Sequence, residues 1–326
     1  MRLFALDGSR DFGGKVAAFL DCSLDAHEER NFDDGEHKIR PLVSVRDEDV
    51  YVVHSLYADE RQSVNDKLCK LLFFIAALRD AGAARVTAVT PYLCYARKDR
   101  RTKARDPVTM RYVASLFEAV NVDRVVTIDV HNLQAFQNAF RCRTEHLEAQ
   151  KLFVSYFQNM FSDGEAVVVM SPDIGGVKRA ERFRDRLSKA MSREAGFAFM
   201  EKSRSKDVVS GDDTVVGDLQ GKAVIILDDL VNSGVTMARA AAACKRSGAN
   251  AVYGVVTHGA FIRKTNQAFM EKALTQVVVT NTVLSAFMDD PVLKEKVVVL
   301  DAAPLFSETI RRLSTAGSLV SLMELE

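Results

Sequence analysis

Val224-Ile225-Ile226-Leu227-Asp228-Asp229-Leu230-Val231-Asn232-Ser233-Gly234-Val235-Thr236-Met237-Ala238-Arg239 is the stretch from which the fold reads outward. Its apolar start predicts a buried parallel strand, expected to stop at the two carboxylates before small residues turn the chain into a helix. The carboxyl end of such a strand opens into a crevice, where unpaired N–H groups of the next helix hold a phosphate. Asp228 and Asp229 would serve there as acceptors for neighbouring sugar hydroxyls or as ligands to a hydrated Mg²⁺. An isolated Asp-Asp at a strand end equally suits a carboxylate that only caps a helix, so the surrounding sequence decides.

On both sides of this stretch, short β-branched runs alternate with amphipathic segments, the pattern of βαβ units around a mostly parallel sheet. Strands are expected near Leu3 to Leu6, Val50 to His54, Arg85 to Thr90, Val125 to Val130, Val167 to Met170, Ala198 to Met200, Val224 to Leu227, Val252 to Thr257, Val277 to Thr280 and Val297 to Leu300. Helical spacing of apolar residues marks Asp66 to Asp80, Val108 to Ala119, Leu147 to Met160, Val177 to Met191 and Thr236 to Ser247. A chain of 326 residues exceeds one ordinary core and predicts two domains. No Pro- or Gly-rich linker or short repeat separates them. The boundary is placed at the polar stretch Arg141 to Glu148, giving domains 1–147 and 148–326 with a ligand site between them.

Lys plus Arg and Asp plus Glu number 44 each, so no global field points to nucleic acid or an anionic membrane. The longest apolar run, Leu71 to Leu78, is far short of the ~20 residues that span a bilayer. Asp7 and Arg10 come too early for a signal peptide, so the chain reads as cytoplasmic. Cys22, Cys69, Cys94, Cys142 and Cys244 form no C-x-x-C pair, which suits reduced thiols rather than a disulfide frame or zinc site.

Two further segments carry chemistry. Tyr95-Ala96-Arg97-Lys98-Asp99-Arg100-Arg101 follows a strand, and four of its last five residues are cationic, which suits a polyphosphate. Phe32-Asp33-Asp34-Gly35-Glu36 sets an aromatic beside carboxylates. A solvated loop and a simple turn would explain each segment alone. Together, and with Arg105-Asp106-Pro107-Val108-Thr109, Asp129-Val130-His131, Ser171-Pro172-Asp173-Ile174-Gly175-Gly176-Val177-Lys178-Arg179 and the Asp228 loop in order, the chain resembles the phosphoribosyl-pyrophosphate (PRPP) synthetases over nearly its whole length.

That resemblance implies two similar domains of type I phosphoribosyltransferase-like α/β fold, an N-terminal nucleotide-binding one and a C-terminal ribose-5-phosphate one. It implies that Phe32 and Arg97 sandwich adenine, that Asp34 and Glu36 accept from its amino edge or the ribose, and that Lys98, in place of the usual Gln, and Asp99 complete the ATP site. His131 and Asp173 would stand at the metal-triphosphate position with Mg²⁺ as cofactor. Lys202 and Arg204 would join His131 as catalytic residues, on a flexible loop that runs to Gly217. Ribose 5-phosphate would lie on Asp228, Asp229, Asn232, Ser233, Gly234, Val235 and Thr236.

The reaction implied is transfer of the β,γ-diphosphoryl group of Mg-ATP to the anomeric hydroxyl of ribose 5-phosphate, giving PRPP and AMP, in a homo-oligomer, dimer or hexamer. Asn232 replaces the usual Asp, and Val235 replaces a Gly, where a β-branched residue would be strained if φ were positive. Leu319 replaces a Ser in the tail Gly317 to Leu322, which is expected to weaken inhibition by ADP. These departures leave a non-catalytic nucleotide-binding regulatory paralogue as an alternative. A type I phosphoribosyltransferase would share only the second-half loop and lack Phe32 to Glu36 and Tyr95 to Arg101.

Overall fold

The computed structural model describes residues 1–161, 164–201, 214–261, 265, 269, 273–283 and 290–323. They divide into two units, Met1–Glu148 with the described residues from Asp301 onward, and Ala149–Leu300. Each unit has the expected parallel sheet flanked by helices.

In the first unit, β1 (Arg2–Ala5) leads through α1 (Arg10–Phe19) to an antiparallel hairpin of β2 (His27–Asn31) and β3 (His37–Pro41). Then come β4 (Asp49–Val53), α2 (Val64–Asp80), β5 (Arg85–Val89), α3 (Thr109–Ala119), β6 (Arg124–Ile128), α4 (Leu133–Ala139) and β7 (Arg143–Leu147). The sheet runs β1-β4-β5-β6-β7, all parallel. Val50, Val52, Val86, Ala88 and Val125 bury one face against Leu71, Phe74, Ile75 and Leu78 of α2 and Val113 and Phe117 of α3. A capping box starts α2: Asp66 N donates to Ser63 Oγ at 3.2 Å, and Ser63 N donates to Asp66 Oδ2 at 2.8 Å.

The second unit contains α5 (Gln150–Met160), β8 (Val167–Ser171), α6 (Val177–Met191), β9 (Gly196–Glu201), β10 (Thr214–Val216), β11 (Ala223–Val231), α7 (Val235–Arg246), β12 (Ala251–Gly259), β13 (Gln276–Thr280) and β14 (Val297–Leu300). Its sheet runs β10-β9-β8-β11-β12-β13-β14, with only β10 antiparallel. Strand order reverses between β8 and β11. In doubly wound sheets such a reversal leaves a crevice at the carboxyl ends of the two strands, where ligands bind. The first sheet follows chain order throughout and has no reversal.

Three features differ from expectation. The sequence grouped 148–326 together, yet the helix Ala303–Ser314 returns to the first unit. Phe306 meets Phe12 edge-on at 5.4 Å, and Ser307 Oγ donates to Val16 O at 3.0 Å. The β2–β3 hairpin and β7 were not anticipated, because their segments, His-Glu-Glu-Arg-Asn, His-Lys-Ile-Arg-Pro and Arg-Thr-Glu-His-Leu, lack an apolar alternation. Finally, β11 does not stop at the carboxylates: Asp228 pairs with Val256, and the ladder continues to Val231 opposite Gly259. Among the described residues no helix is long and apolar enough to cross a membrane.

Candidate active site

Asp228 and Asp229 lie within β11, before its end at Val231, and one guanidinium reaches both carboxylates. Asp229 is buried and Asp228 half-buried. Arg179, in the first turn of α6, places Nη1 2.8 Å from Asp229 Oδ1 and 3.9 Å from Asp228 Oδ1. Asp229 N donates to Asp228 Oδ1 at 2.9 Å. Burial, and then the adjacent Asp229 charge, push the Asp228 carboxyl far above the usual carboxylate range, with Arg179 pulling it back. A cation bound beside the pair would draw the Asp228 carboxyl back toward its ordinary range.

After Val231 the chain turns through Asn232, Ser233 and Gly234 into α7. Gly234 has φ 73° and Val235 begins the helix with ordinary φ, so the strain anticipated for a β-branched residue at 235 does not arise. Ser233 is half-buried, and Asn232, Val235 and Thr236 are exposed. With glycine at the N-cap, no side chain occupies the helix start, and its first turn carries no carboxylate. The carbonyl of Asn232 accepts from Thr265 Oγ1. Across the switch point, the loop after β8 carries Asp173, whose Oδ1 accepts from Gly176 N at 3.1 Å, while Ser171 Oγ donates to the Asp173 carbonyl at 2.6 Å. A Cβ on Gly176 would come within 2.7 Å of Ser171 Oγ, so a side chain there would have to displace that hydroxyl from the Asp173 carbonyl.

In the first unit, Phe32, Asp34 and Glu36 are exposed at the tip of the β2–β3 hairpin. Phe32 N donates to Glu36 O at 2.8 Å, Glu36 N donates to Asp34 Oδ1 at 3.0 Å, and the Arg30 guanidinium lies over the Phe32 ring at 5.0 Å. Arg97 is exposed on the loop after β5, where Tyr95 adopts φ 59°. Lys98 is engaged within this loop: its Nζ lies 2.6 Å from Asp106 Oδ2, which also accepts from Thr102 N and Lys103 N. These bonds hold the Asp106 carboxyl well below its ordinary range. Asp99 Oδ2 accepts from Asn132 Nδ2 at 2.6 Å. His131, beside Asn132, is exposed. Lys202 and Arg204 lie outside the described residues, and among those described no three His, Cys, Asp or Glu side chains gather closely enough to hold a metal ion.

Comparison with known proteins decides the family. A family model for the N-terminal domain of ribose phosphate pyrophosphokinase matches residues 1–120, and one for the phosphoribosyl synthetase-associated domain matches 210–324. A ribose-phosphate pyrophosphokinase of Hyphomonas neptunium is 35% identical over 99% of this chain and 100% of its own. The chain belongs to the ribose-phosphate pyrophosphokinase family. A Wolinella succinogenes family member is 36% identical over 98% of each chain. The crystal structure of phosphoribosylpyrophosphate synthetase from Mycobacterium smegmatis superposes with a TM-score of 0.86 at 34% identity, covering 97% of this chain and 99% of that one. Family, enzyme class and fold thus stand as the resemblance implied.

Three residues at these sites escaped the sequence reading. Arg179 was visible only as part of a motif, and its contact with Asp229 depends on α6 packing beside β11. Asn132 carries the ordinary signal of a helix N-cap, whereas nothing in the sequence marks His146, whose Nε2 accepts from Val130 N at 3.2 Å next to His131.

Proposed function

We propose that this ribose-phosphate pyrophosphokinase transfers the β,γ-diphosphoryl group of ATP to the anomeric hydroxyl of ribose 5-phosphate, releasing AMP and PRPP. The observation that carries the substrate assignment is the β11–α7 turn beside the strand-order reversal. There Asp228 and Asp229 precede a glycine-capped helix start with no carboxylate in its first turn. The sugar phosphate would sit on the N–H groups and hydroxyls of Ser233 to Thr236, with ring hydroxyls donating to Asp228 and Asp229. Asn232 can bond a hydroxyl but supplies no charge. ATP would be held by Phe32, Arg97 and the carboxylates Asp34 and Glu36, the guanidinium and the ring offering a stacking pair for adenine. Lys98, bound to Asp106, would shape the loop as well as add charge near the phosphates.

Mg²⁺ suits this donor set. Oxygen ligands are few, and a divalent ion that keeps most of its waters and arrives on the triphosphate needs only one or two carboxylates, such as Asp173. When bound, it would neutralise charge on the transferring group. His131, Lys202 and Arg204 would supply donors to that group and to the leaving AMP. The family membership supports reading the protein as a cytoplasmic homo-oligomer, dimer or hexamer. The test is AMP release from Mg-ATP on adding ribose 5-phosphate. Release that depends on the sugar supports the reading, and nucleotide binding without release would make the chain a regulatory paralogue.

A further inference from the structure

His131 is bracketed by two residues, Val130 and Asn132, each anchored to another segment of the chain. Upstream, Asp129 takes a left-handed conformation at φ 43°, which a non-glycine residue adopts only where its surroundings hold it. The chain is caught immediately afterwards: Val130 N donates to His146 Nε2 on β7 at 3.2 Å. A backbone amide can only donate, so Nε2 is the unprotonated ring nitrogen and the neutral imidazole carries its proton on Nδ1. Downstream, Asn132 uses both ends of its amide. Its Oδ1 accepts from Ala135 N at 3.1 Å and caps α4, while its Nδ2 donates to Asp99 Oδ2 at 2.6 Å, a short charge-assisted bond.

Asp99 lies on the same loop as Arg97. One asparagine side chain therefore fixes the helix start behind His131 and ties that strand end to the cationic loop after β5. We propose that Asn132 and His146 are positioning residues that hold His131 in register with the nucleotide loop; this rests on the reading of the chain as a ribose-phosphate pyrophosphokinase. His131 is exposed, and the bonds on its two neighbours set where its backbone sits. A displacement of about 1 Å in such a group costs on the order of 100-fold in rate.

Asparagine is the residue that satisfies both bonds. Aspartate would keep the cap and lose the donor, setting two carboxylates face to face. The test compares Asn132→Asp, His146→Leu, which removes the acceptor, and His146→Gln, which restores one at similar reach, in AMP release at saturating Mg-ATP. Asn132→Asp and His146→Leu are expected to lower kcat by roughly 10- to 100-fold with KM for ribose 5-phosphate within about twofold of wild type, and His146→Gln to recover most of kcat. Because the cap survives, Asn132→Asp is expected to unfold within about 3 °C of wild type. Unchanged kcat in Asn132→Asp and His146→Leu overturns the inference, as does a rise in KM alone or failure of glutamine to rescue. Those outcomes leave the functional reading intact, whereas a wild-type protein that releases no AMP overturns both.

Discussion

Replacing Arg179 by Met removes the cation that faces Asp228 and Asp229 while keeping most of the apolar stem. At 2.8 Å and 3.9 Å from the two carboxylates, the guanidinium attracts them by about 6 and about 4 kcal/mol at an effective dielectric constant of about 20. Desolvation offsets much of that gross attraction. The Asp229 side chain is only 8% exposed, whereas Arg179 and Asp228 are 21% and 30% exposed, and solvent screening lowers the cost of a broken buried pair to about 2 kcal/mol.

The sign with pH follows from Asp228, whose folded carboxyl already titrates above its unfolded value. A raised carboxyl binds protons in the native state that the unfolded chain has released, so its contribution favours folding at low pH and is lost as pH rises through the folded value. Without Arg179 the carboxyl rises further. Urea unfolding followed by circular dichroism should therefore show the loss of about 2 kcal/mol at about pH 8 and a clearly smaller loss at about pH 5. Equal losses at both values, or a loss below about 0.5 kcal/mol at the higher one, would refute the coupling.

Ser63→Ala removes the Asp66 N–H acceptor of the α2 capping box while residue 63 N still donates to Asp66 Oδ2; it should cost about 1 kcal/mol, read as a lower urea midpoint with unchanged slope. Gly234→Val forces a β-branched residue to φ 73°; it should destabilise the protein by at least about 1–2 kcal/mol and raise KM for ribose 5-phosphate, and a full-affinity variant would count against the turn as the phosphate seat. Asn232→Asp should lower KM for ribose 5-phosphate, so an unchanged value would show that the position does not face the sugar. Phe32→Ala should leave stability within about 0.5 kcal/mol, because the ring is exposed, and raise KM for ATP about tenfold; unaltered ATP affinity would remove Phe32 from the adenine site.

Where burial wrote a clear period, the fold was legible. Val224 to Leu227, Val252 to Thr257 and the α2 stripe lie within the strands and helix they predicted. The hairpin was not, because Glu28 and Arg40 stand opposite each other on a charged face, and only His27, Glu29 and Ile39 turn inward at odd positions. The length of β11 was also hidden: a carboxylate normally ends an apolar strand, but here β12 continues the ladder past it and Arg179 meets the buried charge. Asp228 and the Gly234 turn could be read because their chemistry is local in sequence. The Asp99–Asn132 and Val130–His146 bonds join segments 33 and 16 residues apart, and no periodicity announces such pairs.

Transfer of a diphosphoryl group, rather than a single phosphoryl group, to ribose 5-phosphate is the claim most directly open to measurement. ATP labelled at the β-phosphorus should, on incubation with the wild-type protein, Mg²⁺ and ribose 5-phosphate, deliver its label to the sugar product with one AMP formed for each PRPP. Label retained in ADP, or nucleotide left intact while ribose 5-phosphate is bound, would contradict it.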